Sequence, residues 1–129
     1  MGGETITDIL QKGKNKLCGA SLILCPHSKQ RELRETLISI DYALENESIA
    51  YENRRYYTVM LAIPGKTAYS EKELMLGPIL IKTRPPLYEA YLKQILLRDE
   101  KAVVSCIKNG NPVNELLLRR IVYIKEEIQ

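Results

Sequence analysis

Leu33, Leu37, Ile40 and Leu44 fall at helical spacing, with Ile38 beside them and Arg31, Glu32, Arg34 and Glu35 on the opposite face. This pattern predicts a helix over 29–45, capped by Ser28. Leu87, Tyr88, Tyr91, Leu92, Ile95 and Leu96 form a second stripe behind Pro85-Pro86 and predict a helix over 86–98. Val113, Leu117, Ile121, Ile124 and Ile128 form a third, over 112–127, with Asn111 as cap and Pro112 as its first residue. Residues 4–11 (ETITDILQ) read as a short helix that ends near Gly13. Ser70 with Glu73 reads as a capping box over a helical turn at 71–76.

Other stretches have the character of strands. Residues 17–25 (LCGASLILC) form an apolar run closed by Pro26. Two strands, 48–52 and 55–63, are predicted to join at Asn53-Arg54. In the second, Tyr57, Val59, Leu61 and Ile63 share one face and Tyr56, Thr58, Met60 and Ala62 the other. Both faces are largely apolar, which predicts a central strand covered on two sides. Residues 79–83 (ILIKT) and 102–107 (AVVSCI) complete the set of predicted strands.

The segments 17–25, 29–45, 48–52, 55–63, 86–98 and 102–107 run in the order βαββαβ. The expectation is a single α+β domain over 1–129 with a mixed or antiparallel sheet. Its core would be ferredoxin-like, with 66–83 inserted and a C-terminal helix added.

Composition narrows the picture. A chain of 129 residues with 45% hydrophobic and 27% charged residues can bury a core, so a disordered tail is excluded. Tyr supplies all eight aromatic rings, so each buried ring needs a partner for its hydroxyl. The richness in Ile, Leu, Lys, Arg, Glu and Tyr is thermophile-like. The net charge is +3, and the excess lies in residues 65–129. No apolar run approaches a membrane span and no leader pattern appears. Three cysteines (Cys18, Cys25, Cys106) suit a reducing compartment. A cytoplasmic protein is expected.

Candidate chemistry is sparse. Gly65-Lys66-Thr67 imitates the end of a phosphate-binding loop, but Met60 stands where glycine is required and Pro64 has no N–H. Cys18, Cys25, His27 and Cys106 lack the spacing of a zinc site, which leaves Cys25 and His27 as the weak metal candidates. Cys18 and Cys106 read as buried strand residues. Asp41, Glu45, Glu47 and Glu52 cluster in sequence, and paired acids can hold Mg²⁺ in a nuclease.

The most suggestive segment is Tyr51-Glu52-Asn53-Arg54-Arg55-Tyr56-Tyr57. Arginine pairs with phosphate and tyrosine stacks on unpaired bases. In strand order the chain resembles ferredoxin-like domains, many of which bind RNA or DNA. In their RNA-recognition version, aromatic residues on two central strands stack on bases. LCGASLIL and RRYYTVML occupy those strands here, and only the second carries rings, at Tyr56 and Tyr57.

The leading expectation is therefore a non-enzymatic nucleic-acid-binding accessory or regulatory protein, without cofactor. Arg54, Arg55, Lys82, Arg84, Arg119 and Arg120 would contact phosphate, and Tyr51 or Tyr56 would stack. One alternative is an assembly module that forms a homo-oligomer through its last helix, where Leu116, Leu117, Leu118, Val122 and Tyr123 widen the apolar face. The other is the metal-dependent nuclease.

Overall fold

A computed structural model describes residues 2–129. The chain divides into two compact units, residues 1–85 and 86–129. The first holds α1 (Gly3–Gly13), a 3-10 turn (Lys14–Lys16), β1 (Leu22–Leu24), α2 (Gln30–Ser39), β2 (Tyr42–Glu52), β3 (Arg55–Pro64), α3 (Glu71–Leu76) and α4 (Pro78–Thr83). The second holds α5 (Tyr88–Lys108) and α6 (Glu115–Ile128). No helix among the described residues is long and apolar enough to cross a membrane.

The three strands form an antiparallel sheet in the order β1-β3-β2. Ile6 and Leu10 of α1 and Leu33 and Leu37 of α2 are each four residues apart, so each pair lies on one helix face. They pack on Tyr42, Leu44, Met60 and Ala62 from one face of the sheet. With no Phe or Trp available, tyrosines fill the larger gaps and their hydroxyls are satisfied. Tyr42 Oη donates to the Ala20 carbonyl at 2.6 Å, and Tyr69 Oη accepts from Leu44 N at 3.0 Å. On the other face of β3, Tyr57, Val59, Leu61 and Ile63 are only half-buried, and Ile23 of β1 is exposed. The expected two-sided cover is therefore complete on one side alone.

The ferredoxin-like expectation is corrected by the fourth strand. The order β1-β3-β2 is what the first three strands of a split βαβ unit would make. Residues 102–107, however, are the C-terminal part of α5, which runs unbroken from Tyr88 to Lys108. No Gly or Pro interrupts that stretch, and helix continuity overrides the strand preference of its valines. Residues 79–83 are helical too. Pro78 occupies the first turn of α4, which follows Gly77 at φ +105°.

Helix α2 stops at Ser39 rather than 45, and Leu44 belongs to β2. Its N-cap is Lys29, in the left-handed conformation, not Ser28. The last helix is capped by Asn114, whose Oδ1 accepts from Leu116 N at 2.8 Å, and not by Asn111. Strand β1 is only three residues long. Before it the chain turns through Cys18 and Gly19, both at positive φ, so Cys18 is exposed rather than buried. Cys106 is half-buried on α5.

A register shift between Leu44 and Asn46 leaves Glu45 without a partner on β3. This bulge reverses the alternation, so Glu47 points to the same face as Leu44. There Glu47 meets Arg34 of α2, with both side chains at 0% exposure. Arg34 Nε donates to Glu47 Oε2 at 3.0 Å, and Nη2 lies 2.9 Å from the same oxygen without hydrogen-bond alignment. Arg34 Nη1 donates to the Leu74 carbonyl at 2.8 Å, near the end of α3. Glu47 Oε1 accepts from Ile79 N at 2.9 Å, at the start of α4. The cation thus serves a helix C-terminus and the anion a helix N-terminus, each matching the local dipole. Gly77 closes over the pair, where a Cβ would stand 2.8 Å from Glu47 Oε1 and 2.9 Å from Arg34 Nη2.

Glu47→Ala leaves Arg34 buried without its anion and is expected to cost about 3–5 kcal/mol in urea unfolding. The double variant Arg34→Met/Glu47→Leu is expected to recover a large part of that loss. A Glu47→Ala cost below about 1 kcal/mol would show that the pair does not hold the unit together.

Candidate nucleic-acid interface at the β2–β3 hairpin

The β2–β3 turn is formed by Asn53 and Arg54, with φ of 52° and 62°. Two successive left-handed residues are what a tight two-residue hairpin loop demands, and Asn-Gly is the preferred pair. Asn53 suits the first place. Arg54 occupies the second, where a side chain costs about 1 kcal/mol relative to glycine. Glu52, Asn53, Arg54 and Arg55 are exposed.

Strand β1 pairs with β3 only at residues 60–62. Beyond that point Thr58 ties the ribbon to the chain after β1, its N and its Oγ1 both donating to the Pro26 carbonyl, at 3.1 and 3.5 Å. The last three residues of the ribbon before the turn therefore reach about 10 Å past Thr58. Tyr51 and Tyr56 face each other in the register, their ring centroids 4.6 Å apart and their planes tilted by 44°. Tyr51 is 53% exposed. The arm thus carries a tyrosine pair on one face and two arginines at its tip.

Four of the expected contact residues, Tyr51, Arg54, Arg55 and Tyr56, come together in this way. Lys82 and Arg84 sit exposed at the C-terminal end of α4, a separate element. Arg119 and Arg120 belong to the second unit. Arg119 lies 3.6 Å from Glu115 on its own helix. Arg120 makes a bidentate pair with Asp99 at 2.7 and 2.8 Å, and Asp99 is 2% exposed. That pair braces α6 against α5. Tyr88 Oη and Glu127 Oε1, 2.7 Å apart, do the same near the other end of the helix pair.

The acidic cluster does not assemble. Glu47 is spent on Arg34, Asp41 lies in the turn after α2 at φ 60°, Glu45 is the bulge residue, and Glu52 is at the hairpin tip. Among the described residues, no three of His, Cys, Asp and Glu stand together as a metal site. His27 packs instead on Tyr57, edge to face at 5.9 Å.

Sequence reasoning missed the start of α1. Gly3 N donates to the Ser28 carbonyl at 2.9 Å, and a Cβ on Gly3 would collide with that same oxygen. The signal was there: a Gly-Gly pair directly before an apolar helical stripe marks a close backbone approach. It brings the first turn of α1 against the loop that follows β1.

The fold of this chain recurs within longer solved chains. A Streptococcus agalactiae protein of the NADB-Rossmann superfamily matches all of this chain with a TM-score of 0.87 at 27% identity, over 57% of its own length. The Bacillus subtilis M1A22 tRNA methyltransferase TrmK matches with a TM-score of 0.81 at 28% identity, over 60% of its length. In sequence, the tRNA (adenine(22)-N(1))-methyltransferase of Bacillus subtilis strain 168 is 37% identical over 95 residues, 68% of this chain. The chain spans 40% of the length of that curated relative.

Residues 1–128 match the family described as TrmK, tRNA (adenine(22)-N(1))-methyltransferase, and the chain belongs to that family. Membership in an enzyme family overturns the expectation of a non-enzymatic accessory protein, and with it the assembly-module and nuclease alternatives.

Arg54→Gly relieves the left-handed strain at the hairpin turn. It is expected to raise stability by about 1 kcal/mol in urea unfolding. A loss of stability would mean that Arg54 makes a structural contact at the tip.

Proposed function

We propose that this chain takes part in methylating N1 of an adenine in tRNA, and that its share of the work is contact with the RNA. The observation that carries this reading is the family match over nearly the whole chain. The arm supports it from the structure: two exposed arginines and a tyrosine pair fit a phosphate backbone next to an unpaired base. The strain held at Arg54 points the same way, since a turn selected for stability alone would carry glycine there.

A Streptococcus pneumoniae structure similar to this chain was solved in complex with S-adenosyl-L-methionine. The residues described here do not fit that cofactor. A dinucleotide-type site needs a parallel strand that runs through a glycine-rich turn into a helix. Every strand pair in this sheet is antiparallel. Gly2 and Gly3 are closed against Ser28 and Lys29. A hollow of about 280 Å³ beside them is lined by Glu4, Thr7, Lys29 and Glu32, with two carboxylates to one amine. No step of methyl transfer is derived from these residues.

Two measurements test the reading. Fluorescence anisotropy with labelled tRNA at about 50 and 200 mM salt is expected to show binding that weakens steeply with salt. Arg54→Ala/Arg55→Ala should lower the affinity and flatten that dependence by about two phosphate contacts. Unchanged affinity would remove the arm from the interface. In cells, deleting the gene should abolish N1-methyladenosine from the tRNA that carries it, and an unchanged level would overturn the proposed function.

A further inference from the structure

The loop that follows β1 ends in a corner of two rings. Pro26 is buried, and its carbonyl accepts from Thr58 N at 3.1 Å, which fixes the loop to β3. The next residue, His27, therefore falls beside Tyr57. The two ring planes are perpendicular, 5.9 Å apart, and both side chains are half-buried. Gly2 comes up to the same loop: a Cβ there would lie 3.1 Å from Ser28 Oγ and 3.9 Å from His27 Cε1. Tyr57 is on the face of β3 opposite Thr58, Met60 and Ala62, the side that the α1 and α2 helices do not cover. This corner stands just beyond the last residue of β1, Leu24.

We propose that His27 and Tyr57 seat one unpaired adenine base of the RNA. This rests on the tRNA reading above and adds residues to it. Two rings at right angles offer a planar surface for stacking and, at its border, an imidazole whose nitrogens can donate to or accept from a purine edge. An enzyme that modifies a base must take it out of its stack, and an aromatic wall offsets the lost stacking. On its own face the corner is continued towards the hairpin tip by Arg55, two positions before Tyr57, whereas Tyr56 lies on the opposite face. A phosphate held by Arg55 therefore leaves the neighbouring nucleotide within reach of His27. Because His27 touches the base in this arrangement, it is a base-contacting group. Nothing in the geometry gives it a part in moving protons.

His27 is the only histidine of the chain, so its Cε1–H resonance is a unique probe. The chain is titrated with two short RNA hairpins that differ only in one adenosine, bulged in the first and base-paired in the second. The bulged adenosine is expected to shift the His27 resonance through its ring current, and the paired one is not. His27→Ala, at a half-buried position, should lower affinity for the bulged RNA about tenfold and leave the paired RNA within about twofold. Arg54→Ala/Arg55→Ala should weaken both RNAs alike. If both RNAs bind with the His27 signal unmoved, the seat is overturned while RNA contact stands. If neither binds, the seat and the RNA-binding role fall together.

Discussion

The first unit depends on one buried ion pair. Arg34 and Glu47 lie 13 positions apart, on a helix and on a strand, and neither touches water. Burying either charge alone is prohibitive, so the two must meet. Their meeting fixes the distance between α2 and β2, and the remaining polar atoms then dictate what surrounds them. Arg34 collects the carbonyls that α3 leaves unsatisfied, and Glu47 collects an N–H at the start of α4. Two six-residue helices, too short to stand alone, are placed by charges from elsewhere. The β-bulge at Glu45 and the glycine at 77 follow from the same requirement: the first turns Glu47 inward, and the second leaves room above it.

That arrangement decides which surfaces of the first unit stay open. With α1 and α2 on one face of the sheet and the ion pair at its β2 side, the carboxyl end of β1 and the far half of the β2–β3 hairpin remain open. The tyrosines and arginines of the arm occur there, as does the His27–Tyr57 corner. The second unit is held by different means, a bidentate Asp99–Arg120 pair and a Tyr88–Glu127 bond between two helices.

Much of the fold was legible in the chain because local rules and tertiary packing agreed. The capping box at Ser70 and Glu73 is formed, β3 runs over almost the range that alternation predicts, and the first and last helices are where their stripes put them. The failures share a cause. A bulge interrupts the period-2 pattern of β2, so its first residues read as more helix. Valine-rich and isoleucine-rich stretches at 102–107 and 79–83 read as strands because composition is visible and helix continuity is not. The arm was legible as a hairpin tip with tyrosines and adjacent arginines, and the pairing of Tyr51 with Tyr56 came from the register. The pairing of Arg120 with Asp99 was not legible, because the two stand 21 residues apart and nothing in sequence couples them.

By itself, the sequence determined the alternation of β3, the stripes of α1, α2, α5 and α6, and the chemistry gathered at residues 51–57, because these depend on neighbours three or four positions apart. It also carried the likeness that places the chain in the TrmK family. Only the tertiary structure decided that Glu47 is a buried anion paired with Arg34, that Arg120 pairs with Asp99, and that His27 meets Tyr57. Those roles are set by contacts between residues 13 to 30 positions apart in the chain. Whether a charged or aromatic side chain holds the fold or faces a partner depends on what the folded chain brings beside it.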